Sequence, residues 1–112
     1  LAGDEVLRGV ATVIRNALLG GFHGGRLGGE EFAVILTNTP LQKAIDYSEA
    51  LRRAIEALRV TPGGVPRQIT TSIGCVQWHK GFQTSAEFMR AADAELFRAK
   101  AAGRNRVCWP AF

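Results

Sequence analysis

Cysteine is scarce in this sequence and long apolar runs are absent, and these two shortages exclude several kinds of protein. The two cysteines among 112 residues, Cys75 and Cys108, stand far apart in the chain in apolar surroundings. They make no C-x-x-C pair and have no clustered histidines beside them, so neither a zinc site nor a disulfide framework is expected. Buried free thiols in a reducing cytoplasm are expected instead. His23 and His79 fall singly in loop-like stretches and support neither a metal site nor a triad. No stretch approaches the roughly 20 apolar residues that span a bilayer. The opening Leu-Ala-Gly-Asp-Glu has neither the basic patch nor the apolar core of a secretion signal. A soluble cytoplasmic domain is expected, either free or as the cytoplasmic part of a membrane-bound parent.

Apolar residues make up 46% of the chain and charged residues 21%, an ordinary globular mixture that argues against disorder. The length suits a single domain over residues 1–112 with one core. A net charge of +4 and a pI near 9.7 would suit a polyanion, either nucleic acid or a nucleotide phosphate. The basic residues are scattered, as in Arg52-Arg53, Lys100, Arg104 and Arg106, and aromatic residues do not alternate with them. That pattern does not make a stacking platform, and no nucleic-acid partner is expected.

Periodicity divides the chain into elements. Over residues 5–19, Val6, Leu7, Val10, Ile14 and Leu18 recur at helical spacing, and Gly20-Gly21 ends the run. Arg26-Leu27 leads through Gly28-Gly29 into a second apolar strand ending at Leu36, which predicts a hairpin around a two-glycine turn. Thr39, Pro40 and Gln42 predict a capped helix start, with the helix running to about Arg59. Its inner stripe is Leu41, Ala44, Ile45, Ser48, Leu51, Ile55 and Leu58. Residues 68–78 read as one strand with Ile69, Thr71, Ile73 and Cys75 facing one way, while Gly74 weakens it or permits close backbone approach. Thr84 and Glu87 form a second capping box before a helix that Gly103 ends, and residues 106–109 close the chain as a short strand. The order α-β-β-α-β-α-β, with an antiparallel hairpin and helical crossovers, predicts an α/β domain on a mixed sheet.

Chemistry concentrates in Arg26-Leu27-Gly28-Gly29-Glu30-Glu31-Phe32. Glycines let a bulky ligand lie against the backbone, and a carboxylate is the hard oxygen ligand that Mg²⁺ takes when it also binds substrate phosphates. In an ideal strand adjacent residues point to opposite faces, so Glu30 and Glu31 would not address one ion together. For an isolated motif the plainer reading, a hairpin turn with two solvated glutamates, would be preferred.

Other segments change that balance. The turn resembles the signature loop of GGDEF domains in its GGEEF form. Gly3-Asp4-Glu5-Val6-Leu7 resembles that family's Gly-Asp-x-x-Leu helix start, and Ile69-Thr70-Thr71-Ser72-Ile73-Gly74 its Thr-x-Ser-x-Gly strand. The run from Ala92 through Asp93, Lys100, Gly103 and Arg104 to Asn105 resembles its Ala-Asp-x-Ala-Leu-Tyr-x-Ala-Lys-x-x-Gly-Arg-Asn segment, with Glu95 and Phe97 as departures. The matches keep their order over nearly the whole chain.

The resemblance implies a mixed, mainly antiparallel sheet of the nucleotidyl-cyclase, ferredoxin-like palm type, and a bacterial signalling enzyme that condenses two GTP into cyclic di-GMP. It implies Mg²⁺, or Mn²⁺, at Glu30, with Glu31 as a second catalytic acid whose metal or base role stays open. Gly28 and Gly29 would shape the turn against the nucleotide, and Asp4 would accept from the guanine edge, although a helix cap is an alternative for Asp4. Lys100 and Arg104 would hold the triphosphate, although cations there also suit a helix C-terminus. Activity would require a homodimer, and the parent would carry sensory or effector domains.

Two departures bear on activity. The family's first strand and helix, with a metal-binding aspartate, a Phe-Lys pair and an Asn-Asp pair, precede the point at which this sequence starts. The chain is therefore expected to be N-terminally incomplete, inactive alone, and open where a central strand would lie. Leu19 to Phe22 occupies the place of an Arg-x-x-Asp product-binding motif without either charge, so weak product inhibition is expected. The competing expectation is a degenerate module that binds GTP or cyclic di-GMP without turnover.

Overall fold

The computed structural model describes residues 3–110. Its elements run α1 (Gly3–Ala17), β1 (His23–Gly28), β2 (Glu31–Ile35), α2 (Leu41–Glu56), β3 (Arg59–Val60), a 3₁₀ turn (Pro62–Gly64), β4 (Arg67–Gln68), β5 (Ile73–Gly74), α3 (Ser85–Ala101) and β6 (Val107–Cys108). The pairs β1–β2 and β3–β4 are antiparallel, and β5–β6 is parallel. This is the mixed, mainly antiparallel α/β arrangement that the sequence predicts.

The core lies where α2 meets β5 and β6. Ala44, Cys75 and Val107 are buried together, with Leu36, Leu41, Ile45 and Ile73 packed on them. Side chains alternate along a strand, so Gly74, between Ile73 and Cys75, faces the other way, toward α3. A Cβ at Gly74 would stand 2.2 Å from the Ala92 carbonyl oxygen and 2.3 Å from the Leu96 nitrogen. Strand and helix backbones meet there because no side chain separates them. The β5–β6 pair is thus held between two helices. Cys75, just past the end of β5, lies beside Cys108 of β6, yet the same alternation puts the two side chains on opposite faces, and both thiols are free. Helix α1 docks on α2 through Tyr47, whose hydroxyl donates to the Ala17 carbonyl at 2.8 Å and whose ring meets Phe22 edge-on.

Several predicted boundaries move. Helix α1 spans Gly3–Ala17, two residues earlier than its apolar spacing suggests. Helix α2 begins at Leu41, with Pro40 in the cap position at φ −67° and no side-chain cap bond. Thr39 donates to the Thr37 carbonyl and Gln42 to the Asp46 carboxylate, so the expected capping box is absent. The helix ends at Glu56 because Arg59–Val60 pairs with Arg67–Gln68 across the 3₁₀ turn, drawing Arg59 into a strand.

The long strand expected over 68–78 is interrupted for a related reason. Its start pairs with β3 and its middle with β6, whereas β2 offers it no hydrogen bonds among the described residues. A strand persists where neighbours satisfy its backbone, and β-branched composition alone does not replace them. A cavity of about 810 Å³ lies between residues 30–40 and 70–78, with Ile35 and Trp78 exposed on its wall. It occupies the gap between the hairpin and β5, where the sequence leads one to expect an open sheet.

Candidate nucleotide-binding site

The hairpin owes its shape to a bulge and two glycines. Register runs from His23 opposite Ile35 to Arg26 opposite Phe32, then shifts so that Gly28 faces Glu31. Leu27 is the extra residue, pushed outward and largely exposed. Gly28 has φ +149° and Gly29 φ +52°, and nothing lies within 4 Å of a Cβ built at either. Backbone conformation, not crowding, is what requires glycine at both positions. Arg26 closes the turn by donating from Nε to the Gly29 carbonyl at 2.8 Å.

The turn residues are Gly29 and Glu30, not Gly28 and Gly29. Glu30 therefore lies outside the strand, and strand alternation does not separate it from Glu31. Both line the 810 Å³ cavity, and the opposite-face rule of an ideal strand does not apply to a glutamate in the turn.

Helix α3 brings the opposing charges. Thr84 accepts from the Glu87 amide at 3.1 Å, and the Glu87 carboxylate accepts from the Gln83 amide at 2.7 Å. This is the predicted cap, with its return bond one residue early. At the far end Gly103 takes φ +123°, and the Arg104 amide donates to the Ala99 carbonyl at 2.9 Å. That closure is of the Schellman type. Lys100, Arg104 and Asp93 line the same cavity as Glu30 and Glu31. The arrangement suits an anion that carries a divalent cation, because carboxylates attract the ion and guanidinium and ammonium groups attract the anion.

Asp4 is not brought into this cavity. It lies exposed in the first turn of α1 and lines a second cavity of about 460 Å³ with Arg8, Arg15, Gly24, Gly25 and Arg26. Ile14 and Phe32 line both cavities, so the two adjoin. Gly28 and Gly29 build the turn but line neither.

Among the described residues no three His, Cys, Asp or Glu side chains converge as a metal cage. Glu30 and Glu31 still fit Mg²⁺ by chemistry, since that ion keeps several waters and commonly takes one or two carboxylates together with substrate phosphates.

Three features escape sequence reading. Arg26 as a turn clamp is one, and its sequence signal is its position three residues before the carbonyl it holds. Asp93 in the cavity is another. The third is a network on α2: Arg52 donates to the Glu49 carboxylate and, at 2.8 Å, to the Asn105 side-chain oxygen, while the Asn105 amide donates to Glu56 at 2.7 Å. The Arg52 hydrogen bond holds the Glu49 carboxyl below its ordinary value. Glu49 and Glu56, outside the apolar stripe of the helix, are half-buried as a result.

The family model described as "Diguanylate cyclase, GGDEF domain" matches residues 1–106. Diguanylate cyclase DgcM of Escherichia coli is 40% identical over 105 residues, which cover 94% of this chain and 25% of that protein. Diguanylate cyclase DgcP of Pseudomonas aeruginosa is 41% identical over 107 residues, covering 96% of this chain and 16% of that protein. The chain thus spans a quarter or less of these two relatives. Among solved structures, the active GGEEF domain of a diguanylate cyclase from Vibrio cholerae superposes with a TM-score of 0.88 at 31% identity, over 98% of this chain and 69% of that one. The GGDEF domain of DgcB from Caulobacter crescentus, solved in complex with c-di-GMP, also gives 0.88 at 31% identity, over 96% and 64% of the two chains. A match along almost the entire sequence, together with a shared fold at these identities, means that the chain belongs to the GGDEF family.

Proposed function

We propose that this chain supplies one half of the active site of a diguanylate cyclase, which joins two GTP molecules into cyclic di-GMP when two copies meet face to face. The observation that supports this most is that Glu30, Glu31, Lys100 and Arg104 line a single cavity. Lys100 and Arg104 hold the triphosphate through charge-assisted hydrogen bonds. Asp4, in the adjoining cavity, accepts from the N1–H and N2 donors of guanine. Glu30 would hold Mg²⁺, or Mn²⁺, and Glu31 is a second acid that would share the ion or take a proton from the attacking hydroxyl. The bound ion, when present, offsets phosphate charge. Each protomer orients one nucleotide, and the homodimer brings the 3′-hydroxyl of each toward the α-phosphate of the other, so that two phosphodiester bonds form as two pyrophosphates leave.

The second reading is a GGDEF module that binds GTP or cyclic di-GMP without turnover and serves an attached domain. The absence of a third convergent carboxylate among the described residues favours it for this chain alone. A protein extended at its N-terminus by the family's first strand and helix separates the two. With GTP and Mg²⁺ it is expected to form cyclic di-GMP, and Glu30→Ala is expected to lower kcat by at least about 100-fold, the scale of losing an electrostatic group at the reacting centre. Binding of GTP without any product would select the second reading. Near-normal activity in Glu30→Ala would remove Glu30 from the metal site.

A further inference from the structure

The end of α3 has an unusual backbone. Gly103, Arg104 and Asn105 take φ angles of +123°, +64° and +47° in succession. Glycine adopts such angles freely and asparagine tolerates them, but arginine does so only when its surroundings impose them. The Arg104 amide is held by the Ala99 carbonyl, and the Arg104 carbonyl accepts from Arg106 Nε at 3.0 Å. Neither bond reaches beyond this end of the chain. The tie to another element comes from Asn105, whose side chain uses its acceptor on Arg52 and its donor on Glu56, both from α2. Arg52 is only 13% exposed and also bonds Glu49, so it enters the contact already oriented. Residues 49, 52 and 56 share one face of α2 by their three- and four-residue spacing.

From this geometry we propose that the Arg52–Glu56–Asn105 clamp is a positioning device for the phosphate end of the nucleotide site. Holding Asn105 against α2 fixes the left-handed turn, and the turn fixes Arg104 at the cavity it shares with Lys100 and Glu30. Arg52 touches no ligand and acts through Arg104. The inference rests on the cyclase reading for its ligand, but not for the clamp itself.

The test uses the N-terminally extended protein, with Asn105→Gly and Arg52→Gln. Glycine keeps the backbone freedom at 105 and removes the amide, so a purely conformational role would leave Asn105→Gly like the wild type. The clamp predicts that each substitution raises the KM for GTP by about 10-fold, the scale of a misplaced binding group, with a smaller change in kcat. In an Arg104→Ala background neither should raise KM further, because the residue through which they act is gone. Additive effects, or wild-type KM in both single variants, would overturn the proposal. If the wild type makes no cyclic di-GMP, the cyclase reading falls and the clamp is still tested by amide exchange on the 112-residue chain. Arg52→Gln should then speed exchange of the Arg104 amide by about 10-fold while the α2 amides keep their rates. Unchanged exchange at Arg104 would refute the clamp.

Discussion

Gly74 shows how much a single residue can decide. Its neighbours Ile73 and Cys75 face α2, and its own missing side chain lets α3 come within contact of the strand backbone. The atoms that an added methyl would meet are the Ala92 carbonyl oxygen, the Leu96 nitrogen and the Glu95 carbonyl carbon, all main chain and all under 3.0 Å. No rotamer change relieves such a clash, so α3 would have to shift as a body. Gly74→Ala is expected to destabilise the domain by about 3 kcal/mol, the upper part of the overpacking range, with a lowered urea midpoint as the readout. Gly25, where nothing lies within 4 Å of an added Cβ, is the matched control, and Gly25→Ala should stay within about 1 kcal/mol. Equal losses at both positions would show that strand propensity, not helix approach, governs Gly74. The requirement at Gly28 and Gly29 differs again, because there the positive φ matters and space does not.

Among the elements, the two predicted capping boxes had opposite outcomes although their sequence signals look alike. Thr84 accepts from the Glu87 amide and anchors α3. Thr39 sits one residue too early, because Pro40 occupies the cap position, and its hydroxyl turns back to Thr37. Thr84→Ala is therefore expected to destabilise the domain by about 1 kcal/mol, and Thr39→Ala by less than about 0.5 kcal/mol. Thermal or urea unfolding of the pair checks this, and equal losses would contradict the assigned caps. The strand over 68–78 illustrates a similar dependence on neighbours. Its β-branched residues were legible in the sequence, but pairing at Arg67–Gln68 and Ile73–Gly74 with two different partners was not. Strand extent is set by what lies alongside, and local composition carries no record of that.

For the whole molecule, the hairpin and the β5–β6 pair form separate small sheets around an open cavity, and no large side chain is fully buried among the described residues. The radius of gyration of 14.3 Å exceeds the roughly 13 Å of a compact domain of about 100 residues, in keeping with that openness. Glu30, Glu31 and Asp93 line that cavity, yet no three acidic, histidine or cysteine side chains among the described residues are grouped closely enough to cage an ion. The 112-residue chain is accordingly expected to show no micromolar binding of GTP with Mg²⁺ in isothermal titration. Tight binding by a monomer of this chain would mean that the described residues suffice for the site without a further acid.

The sequence by itself determined the three helices, the glycine-dependent hairpin and the family, because apolar spacing, glycine placement and ordered motifs are local properties that survive without a fold. It also named Glu30, Glu31, Lys100 and Arg104. Tertiary structure alone decided that these four share one cavity while Asp4 lies in the next, that Glu30 belongs to the turn, and that Arg52 reaches Asn105 across 53 positions. Such relations depend on how α2 and α3 pack about β5 and β6. Packing joins residues whose separation along the chain gives no local pattern, so no spacing rule could have disclosed them.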